Sequence, residues 1–298
     1  MQPPILLITG ASGFTGGYCI AAAKRAGIRC IALCRDFSDT APLADECLYA
    51  DLVDNQKVQS AVAIARPQYV LHLAGIANVA HGSVSEMYQV NLVGTVNLLR
   101  ALSAEAPDVK KILIASSANI YGNTSDLPIR ESAAISPANH YGVSKYAMEL
   151  AASLELQLPI TIVRPFNYTG IGQTENFLIP KIISAFQNKQ DHIELGNLDV
   201  ARDFSDVRDV SSAYVKLLLS NCTDPVYNIC SGTAYSLMEI IEMLNRIAGY
   251  EITVNKNPEF AREGEIKMLY GSPLSIESVI GSYREFTFQK TLEWMFFE

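Results

Sequence analysis

The chain has 298 residues, of which 49% are apolar and 18% are charged, and its net charge is −8. This length suffices for one large domain or for two closely packed ones. The acidic balance argues against a nucleic-acid partner and against an anionic membrane surface, although a local basic pocket can still hold an anionic small ligand.

The cysteines and histidines show neither disulfide nor metal-ligand spacing. Six cysteines and four histidines are scattered along the chain, which predicts reduced thiols and no metal site. The N-terminal run MQPPILLITG has no charged leader and no long apolar stretch, so no signal peptide or membrane span is expected. A cytoplasmic protein is predicted.

The first predicted elements are a strand over Ile5–Thr9 and a helix after Gly16 that ends at Gly27. A turn with the spacing Gly-x-x-Gly-x-x-Gly joins them. In this context the glycines permit a tight turn and a close approach of the backbone to a pyrophosphate, which the helix N-terminus also attracts. The predicted dinucleotide contacts are Gly10, Ser12, Gly13, Phe14, Thr15 and Gly16.

The second predicted strand, Arg29–Cys34, ends without the carboxylate that NAD enzymes of this layout use for the ribose. Arg35 and Asp36 come next. A guanidinium at Arg35 can pair with a 2′-phosphate, whereas Asp36 could contact a ribose in its place. The sequence favours NADP(H) as the cofactor, with NAD(H) as the alternative.

Strand and helix patterns then alternate along the chain. Strands are predicted over residues 47–51, 69–73, 111–115 and 160–163, and helices over residues 55–65, 87–104 and 146–156. This alternation predicts an α/β fold with a doubly wound parallel Rossmann sheet.

The regular alternation of strand and helix patterns ends after Pro165, where proline, glycine and asparagine cluster. Helices at 177–188 and 236–248 and a strand at 192–195 follow, while 226–230 is predicted to return to the first sheet. We expect a smaller mixed α/β C-terminal substrate domain. Residues 1–166 plus about 203–232 would form the dinucleotide-binding domain, and 167–202 plus 233–298 would bind the substrate.

Tyr141 and Lys145 lie four residues apart, directly before residues that are predicted to be helical, and at that spacing both side chains leave one helical face. An ammonium group near a phenol favours the phenolate and lowers the pKa of the tyrosine. The pair is therefore a candidate general acid/base. The alternative is an ordinary amphipathic helix that begins with a tyrosine.

Together with the glycine turn, these motifs resemble the extended short-chain dehydrogenase/reductase family in its nucleotide-sugar branch, over essentially the whole chain. The resemblance implies a catalytic triad of Ser117, Tyr141 and Lys145, in which Ser117 lies four residues before the Tyr121-Gly122 pair. It also implies cofactor contacts from Tyr141 and Lys145 and from Arg35, Asp51, Leu52, Leu73, Ala74, Gly75 and Asn91.

Two stretches narrow the choice of activity within the nucleotide-sugar branch. Sugar-nucleotide 4,6-dehydratases carry an acidic pair directly after the triad serine or threonine, and this chain has Ala118 and Asn119 there, which argues against elimination of water. The stretches 164–173 and 196–210 resemble those of GDP-4-keto-6-deoxy-D-mannose reductases. The resemblance implies substrate contacts from Asn167, Asn176, Lys181, Arg202 and Arg262, with Ser116 as an alternative to Ser117.

The predicted function is NADP(H)-dependent reduction of the 4-keto group of a GDP-linked 4-keto-6-deoxy sugar, forming GDP-D-rhamnose, with Tyr141 as proton donor. The alternatives are reduction of another nucleotide-linked ketohexose or of a GDP-4-keto-heptose, a 4-epimerase with bound NAD, and a dinucleotide-sensing regulator without catalysis. The resemblance also implies a homodimer.

Overall fold

The computed structural model describes residues 3–77, 83–222, 224–260 and 265–298. In chain order its strands are β1 (Ile5–Thr9), β2 (Arg29–Cys34), β3 (Glu46–Tyr49), β4 (Tyr69–His72), β5 (Lys111–Ala115), β6 (Ile160–Pro165), β7 (Asn167–Thr169), β8 (His192–Leu195), β9 (Ala201–Asp206), β10 (Val226–Ile229), β11 (Ala234–Ser236), β12 (Thr253–Lys256) and β13 (Met268–Leu269).

The α-helices are α1 (Phe14–Arg25), α2 (Asn55–Ala65), α3 (Val84–Tyr88), α4 (Gly94–Glu105), α5 (His140–Ala152), α6 (Leu178–Gln187), α7 (Val207–Leu219), α8 (Leu237–Ala248), α9 (Leu274–Ile280) and α10 (Phe288–Phe297). A π-helical turn, Gln89–Val93, joins α3 to α4. Within the described ranges, no helix combines the length and apolar character needed to cross a bilayer.

Seven parallel strands form the central sheet, in the order β10-β6-β5-β4-β1-β2-β3. The chain starts in the middle at β1, builds outward through β2 and β3, and then crosses back to β4 on the other side. The carboxyl ends of β1 and β4 flank this reversal, which is where doubly wound sheets bind their ligands. The predicted doubly wound parallel sheet is confirmed.

Helices cover both faces of this sheet because its strands are apolar on both sides. On one face Leu6 and Ile8 of β1 pack with buried residues of α1 and α7. On the other face Leu7 packs with α2, α4 and α5. Two continuous cores thus hold the strand ends in fixed positions.

The remaining strands build two smaller sheets. β9 pairs with β7, β11 and β13, and β8 pairs with β12. A separate apolar core made largely by α6, α8 and α10 supports them. The C-terminal part is therefore mixed α/β, while the proposed division into two domains stays a prediction.

Most element predictions agree with the structure to within a few residues, but α5 differs. The pattern predicted a helix over 146–156, and the helix instead spans His140–Ala152. The Asn139 side chain accepts a hydrogen bond from the Gly142 N–H at 2.8 Å, which starts the helix before Tyr141. Tyr141 and Lys145 consequently both lie inside the helix.

Candidate active site

The glycine turn at the end of β1 has no room for side chains at two positions. Gly10 has a φ of +66°, and a Cβ there would lie 2.7 Å from the Ala74 amide nitrogen. A Cβ on Gly16 would overlap the Ala11 carbonyl oxygen. Gly13 begins α1 without a side-chain cap, so the N-terminal amides of this helix face the turn where an anion can bind.

The next cofactor candidates lie at the ends of β2 and β3. Cys34 is buried and Arg35 is exposed. The Arg35 guanidinium is 3.4 Å from the Asp36 carboxylate, and Asp36 accepts hydrogen bonds from the amide and hydroxyl of Ser38. Asp51 accepts from the Val53 amide, and the Leu52 carbonyl accepts from Asn97. The Arg35 side chain forms an exposed ion pair and remains accessible to a ligand.

The segment after β4 brings three predicted residues together. A Cβ on Gly75 would lie 2.9 Å from Asn91 Oδ1 and 3.2 Å from Lys145 Nζ. Asn91 lies in the π-helical turn and is buried. Its Oδ1 accepts a hydrogen bond from the Ile76 N–H, and its Nδ2 donates one to the Ile76 carbonyl. Asn91 thereby holds the segment 73–76 beside Lys145, and π-helical turns are frequent at functional sites.

A directed chain of hydrogen bonds runs through His72 beneath this segment. Thr95 Oγ1 donates to the Asn91 carbonyl at 2.7 Å, so His72 Nε2 must donate to Thr95, at 2.8 Å. His72 Nδ1 then accepts from Thr9 Oγ1 at 2.6 Å, and Thr9 accepts from the Ala74 amide. Burial lowers the pKa of His72 to about 3, which keeps the imidazole neutral, as this chain requires.

The triad candidates lie at the end of β5 and in the first turns of α5. Ser117 follows β5 and begins a 3₁₀ turn, Ala118–Tyr121. The side chains of Ser117, Tyr141 and Lys145 are all nearly buried. Lys145 Nζ donates to the Ala115 carbonyl at 2.8 Å, and the Ser117 hydroxyl acts on the Tyr141 phenol by lowering its pKa. The structure therefore brings all three predicted residues to the end of β5.

The pKa directions of Tyr141 and Lys145 reflect burial, and that of Tyr141 differs from the direction expected from the sequence. Burial raises the pKa of Tyr141, while the hydrogen bond with Ser117 lowers it, and the net direction is upward. The expected depression of the Tyr141 pKa by Lys145 is wrong for this structure, because both groups are dehydrated. Burial also lowers the pKa of Lys145 to about 8, with the Glu149 carboxylate opposing that change.

Ser116 is buried beside the triad, and its hydroxyl has no hydrogen-bond partner among the described residues. An unpaired buried hydroxyl is costly. The substrate role considered for Ser116 stays a prediction, and this hydroxyl is available for it.

Among the predicted substrate contacts, Lys181 and Arg202 have protein partners of their own. Asn167 and Asn176 are exposed. Lys181 Nζ donates to the Glu194 carbonyl at 3.0 Å and lies over the Phe260 ring. Arg202 forms an ion pair with Glu265 at 2.6 Å. Arg262 lies outside the described residues.

The sequence interpretation missed a contact between the glycine turn and the C-terminal part. Thr15 Oγ1 and the Tyr168 hydroxyl are 2.8 Å apart, and the Phe14 ring stacks on the Tyr168 ring. The sequence signal for this contact was that Tyr168 directly follows Asn167, a predicted substrate residue. The start of α1 is thus tied to β7.

Comparison with known proteins agrees with this geometry. The model of the GDP-mannose 4,6 dehydratase family matches residues 7–295. A GDP-6-deoxy-D-talose 4-dehydrogenase of Aggregatibacter actinomycetemcomitans is 34% identical over 283 residues, which cover 95% of this chain and 93% of that protein. A GDP-6-deoxy-D-mannose reductase of Pseudomonas aeruginosa is 38% identical over 241 residues, covering 76% of this chain and 78% of that protein.

The solved structure of RMD from Pseudomonas aeruginosa, complexed with NADPH, superposes with a TM-score of 0.84 at 31% identity and covers 99% of this chain and 97% of that one. The similarity extends from the glycine turn to the last helix. The chain therefore belongs to the GDP-mannose 4,6 dehydratase family of extended short-chain dehydrogenases/reductases.

Proposed function

We propose that the protein reduces the 4-keto group of GDP-4-keto-6-deoxy-D-mannose with NADPH and forms GDP-D-rhamnose, which is GDP-6-deoxy-D-mannose. The observation that carries this proposal is the convergence of Ser117, Tyr141 and Lys145 beside the glycine turn at the reversal of strand order. A relative with 38% identity is named for a GDP-6-deoxy sugar reductase.

The turn after β1 fits a dinucleotide. Its two crowded glycines, Gly10 and Gly16, let the turn pack tightly against neighbouring backbone atoms, and a tight glycine turn of this kind brings backbone amides close to a pyrophosphate. The exposed guanidinium of Arg35 suits a 2′-phosphate, and a related structure contains NADPH. When bound, NADPH would supply the hydride, while Lys145 and Asn91 would hold its nicotinamide end beside Gly75.

The triad would supply position and a proton. Ser117 would hydrogen-bond near the keto oxygen, and Tyr141 would give its proton to that oxygen as the alcohol forms. A raised pKa keeps Tyr141 protonated at neutral pH, which suits a proton donor. Lys145 would counter the negative charge left on the phenolate.

Dehydration is disfavoured although the family takes its name from a dehydratase. Elimination of water needs a further acid and base. The two positions that follow Ser117 hold the buried Ala118 and the amide of Asn119, and neither group can act as a carboxylate base.

For the GDP-sugar we propose contacts with Ser116, Asn167, Asn176, Lys181 and Arg202. Guanidinium and ammonium groups suit a diphosphate. Arg202 forms an ion pair with Glu265 here. A diphosphate bound to Arg202 would therefore either displace the Glu265 carboxylate or share the guanidinium group with it. Arg262 belongs to the same proposal from the sequence.

The stereochemistry at C4 has a second candidate. A relative that covers 95% of this chain is named for GDP-6-deoxy-D-talose, and 6-deoxytalose differs from 6-deoxymannose only in the configuration at C4. Attack on the opposite face of the same ketone would therefore give the talose product with the same triad.

One experiment tests the function and separates these products. Purified protein is given GDP-4-keto-6-deoxy-D-mannose and NADPH, absorbance follows oxidation of NADPH, and NMR coupling constants assign C4 of the product. We expect turnover and the manno product. The talo product would transfer the assignment to the second candidate, and turnover only with a dTDP- or CDP-linked ketosugar would refute the GDP assignment. Epimerisation without net NADPH oxidation, or binding without turnover, would favour the epimerase or the regulator.

Tyr141→Phe removes the proposed proton donor. Because a general acid contributes about 10²- to 10⁴-fold, we expect a fall of that size in kcat with little change in NADPH affinity. The matched control is Tyr250→Phe, since Tyr250 donates its hydroxyl to the Phe186 carbonyl in the C-terminal core. Equal rates in Tyr141→Phe and the control would disprove the assigned role.

The six cysteines all lie within the described residues and form no disulfide, which is compatible with the cytoplasmic location that we propose. We also propose the two-domain division predicted from the sequence. A homodimer through α4 and α5 is proposed as well. Val143, Leu150 and Leu154 present exposed apolar side chains along α5 and just beyond it, which is compatible with a partner on that face.

A further inference from the structure

His72 is the last residue of β4, and its imidazole joins β1 to α4. It lies beside Thr9, the last residue of β1, in the register of the two strands. The ring accepts a hydrogen bond from the Thr9 hydroxyl at 2.6 Å and donates one to the Thr95 hydroxyl at 2.8 Å. All three residues are at most 1% exposed, so bulk water cannot replace a partner that the imidazole loses.

Each end of this chain reaches a backbone group near the proposed nicotinamide site. The Thr9 hydroxyl accepts from the Ala74 N–H at 3.2 Å, and the Thr95 hydroxyl donates to the Asn91 carbonyl at 2.7 Å. Because the Thr95 hydrogen is used on Asn91, His72 must donate through Nε2, which leaves Nδ1 to accept from Thr9. One tautomer of the neutral ring therefore satisfies every group in the chain.

The Asn91 carbonyl belongs to the π-helical turn between α3 and α4, and the Asn91 side chain contacts two further elements. It accepts from the Ile76 N–H at 2.7 Å and donates to the Ile76 carbonyl at 3.2 Å and to the Ser144 hydroxyl at 3.0 Å. Ser144 directly precedes Lys145 in α5. A shift of this turn would therefore move Asn91 against both the segment after β4 and the helix that carries Lys145.

We propose that His72 is a positioning residue for the nicotinamide end of the cofactor, on which it acts through Thr95 and Asn91. The inference rests on the proposed binding of NADPH beside Gly75 and Lys145. A Cβ on Gly75 would lie 2.9 Å from Asn91 Oδ1 and 3.2 Å from Lys145 Nζ, so even a small displacement of Asn91 changes the space beside Gly75. In this role His72 contacts neither cofactor nor substrate and transfers no proton.

The test measures how much the nicotinamide contributes to affinity. NADPH and 2′-phospho-ADP-ribose share every group except the nicotinamide, so the ratio of their dissociation constants isolates that contribution. Thr95→Val keeps the shape of the side chain but removes both of its hydrogen bonds. We expect calorimetric titration to show about fivefold weaker binding of NADPH in Thr95→Val, the order that one hydrogen bond contributes, and unchanged binding of 2′-phospho-ADP-ribose.

Thr291→Val is the matched control. Thr291 is fully buried in α10, and its hydroxyl hydrogen-bonds to the Asp206 carboxylate at 2.8 Å and to the Thr287 carbonyl, one turn earlier, at 3.2 Å. The variant makes the same chemical change away from the glycine turn, and we expect it to leave both dissociation constants unchanged. An equal change of the ratio in Thr291→Val and Thr95→Val would overturn the inference.

Two variants test the imidazole itself. His72→Leu removes both hydrogen bonds of the ring, whereas His72→Gln supplies one acceptor and one donor group on an amide. We expect His72→Leu to lose affinity for NADPH alone and His72→Gln to recover part of that loss. Equal weakening of NADPH and 2′-phospho-ADP-ribose in His72→Leu is what a loosened fold predicts, and it would refute a positioning role.

These titrations need no ketosugar, so the inference and the proposed reduction can fail separately. A changed ratio in Thr95→Val without any reduction of the ketosugar by the unmodified protein would refute the proposed function alone. An unchanged ratio in Thr95→Val, in a protein that does reduce the ketosugar, would refute the positioning role alone.

Discussion

Lys145 shows how burial changes a side chain that the sequence marks only by its spacing. Its ammonium group is nearly buried and donates to the Ala115 carbonyl. Dehydration lowers the pKa of Lys145 to about 8, and the Glu149 carboxylate one turn later opposes that change. Glu149 also forms a buried bidentate ion pair with Arg164.

These pKa directions predict an alkaline limit to activity. In the folded protein Lys145 loses its proton as pH rises through about 8, whereas in the unfolded chain the same lysine keeps its proton up to about pH 10.5. The unfolded state binds more protons in this window, so the group increases stability with rising pH while the site loses its positive charge. We expect kcat/KM for ketone reduction to fall as pH passes about 8.

Glu149→Gln removes the group that raises the pKa of Lys145, so the alkaline limb of its pH profile should move to lower pH. Loss of the partner of buried Arg164 should also destabilise the fold, by about 3–5 kcal/mol, and circular dichroism would identify the folded fraction. The control is Glu242→Gln, at an exposed position on α8. A pH profile that is identical in both variants would contradict the assignment of the limb to Lys145.

At the scale of single elements, the start of α1 carries the clearest steric requirement. Gly16 faces the Ala11 and Gly10 carbonyl oxygens, with no space for a methyl group, whereas a Cβ on Gly17 would lie 3.9 Å from a Leu43 methyl group, an ordinary contact distance. These neighbouring glycines lie in the same helix and differ in what a Cβ would meet.

Gly16→Ala should displace the turn and abolish detectable NADPH binding, because the methyl group would overlap backbone atoms that cannot yield. Gly17→Ala should bind NADPH normally and should stabilise the helix by about 0.5–1 kcal/mol, since alanine is the better helix former. Calorimetric titration with NADPH and thermal unfolding measure both effects. Tight NADPH binding by Gly16→Ala would exclude this turn as the pyrophosphate site.

At the scale of the whole molecule, buried carboxylates join the central sheet to the C-terminal part. Asp203 in β9 accepts hydrogen bonds from the amides of Ser231, Gly232 and Gly271. Asp209 in α7 accepts from the amides of the segment before α10. These bonds cross long stretches of sequence and hold the two parts in one arrangement.

The proposed homodimer makes a prediction at the same scale. Leu150 is 51% exposed on the outer face of α5, and a charge there would be buried without a partner in a dimer. Leu150→Asp should weaken self-association by at least about tenfold, measured by light scattering over a concentration series. Met238→Asp changes a similarly exposed side chain on α8 and should not. A monomeric unmodified protein would refute the dimer itself.

The sequence by itself determined the alternating elements, the glycine turn and the triad candidates, because periodicity, turn chemistry and the spacing of Tyr141 and Lys145 act over short distances along the chain. Even there, the start of α5 was predicted too late, since the cap from Asn139 was not recognised. Arg35 could be named from its place after β2, but not its ion pair with Asp36.

Only the tertiary structure decided the environments of these groups. It buried Lys145 and Tyr141, closed the His72 chain between Thr9 and Thr95, and joined Thr15 to Tyr168. The physical reason is that pKa values and hydrogen-bond directions depend on dehydration and on partners that the fold brings from distant parts of the sequence. Local patterns name candidate residues, but the packing around them sets their protonation and the direction of their hydrogen bonds.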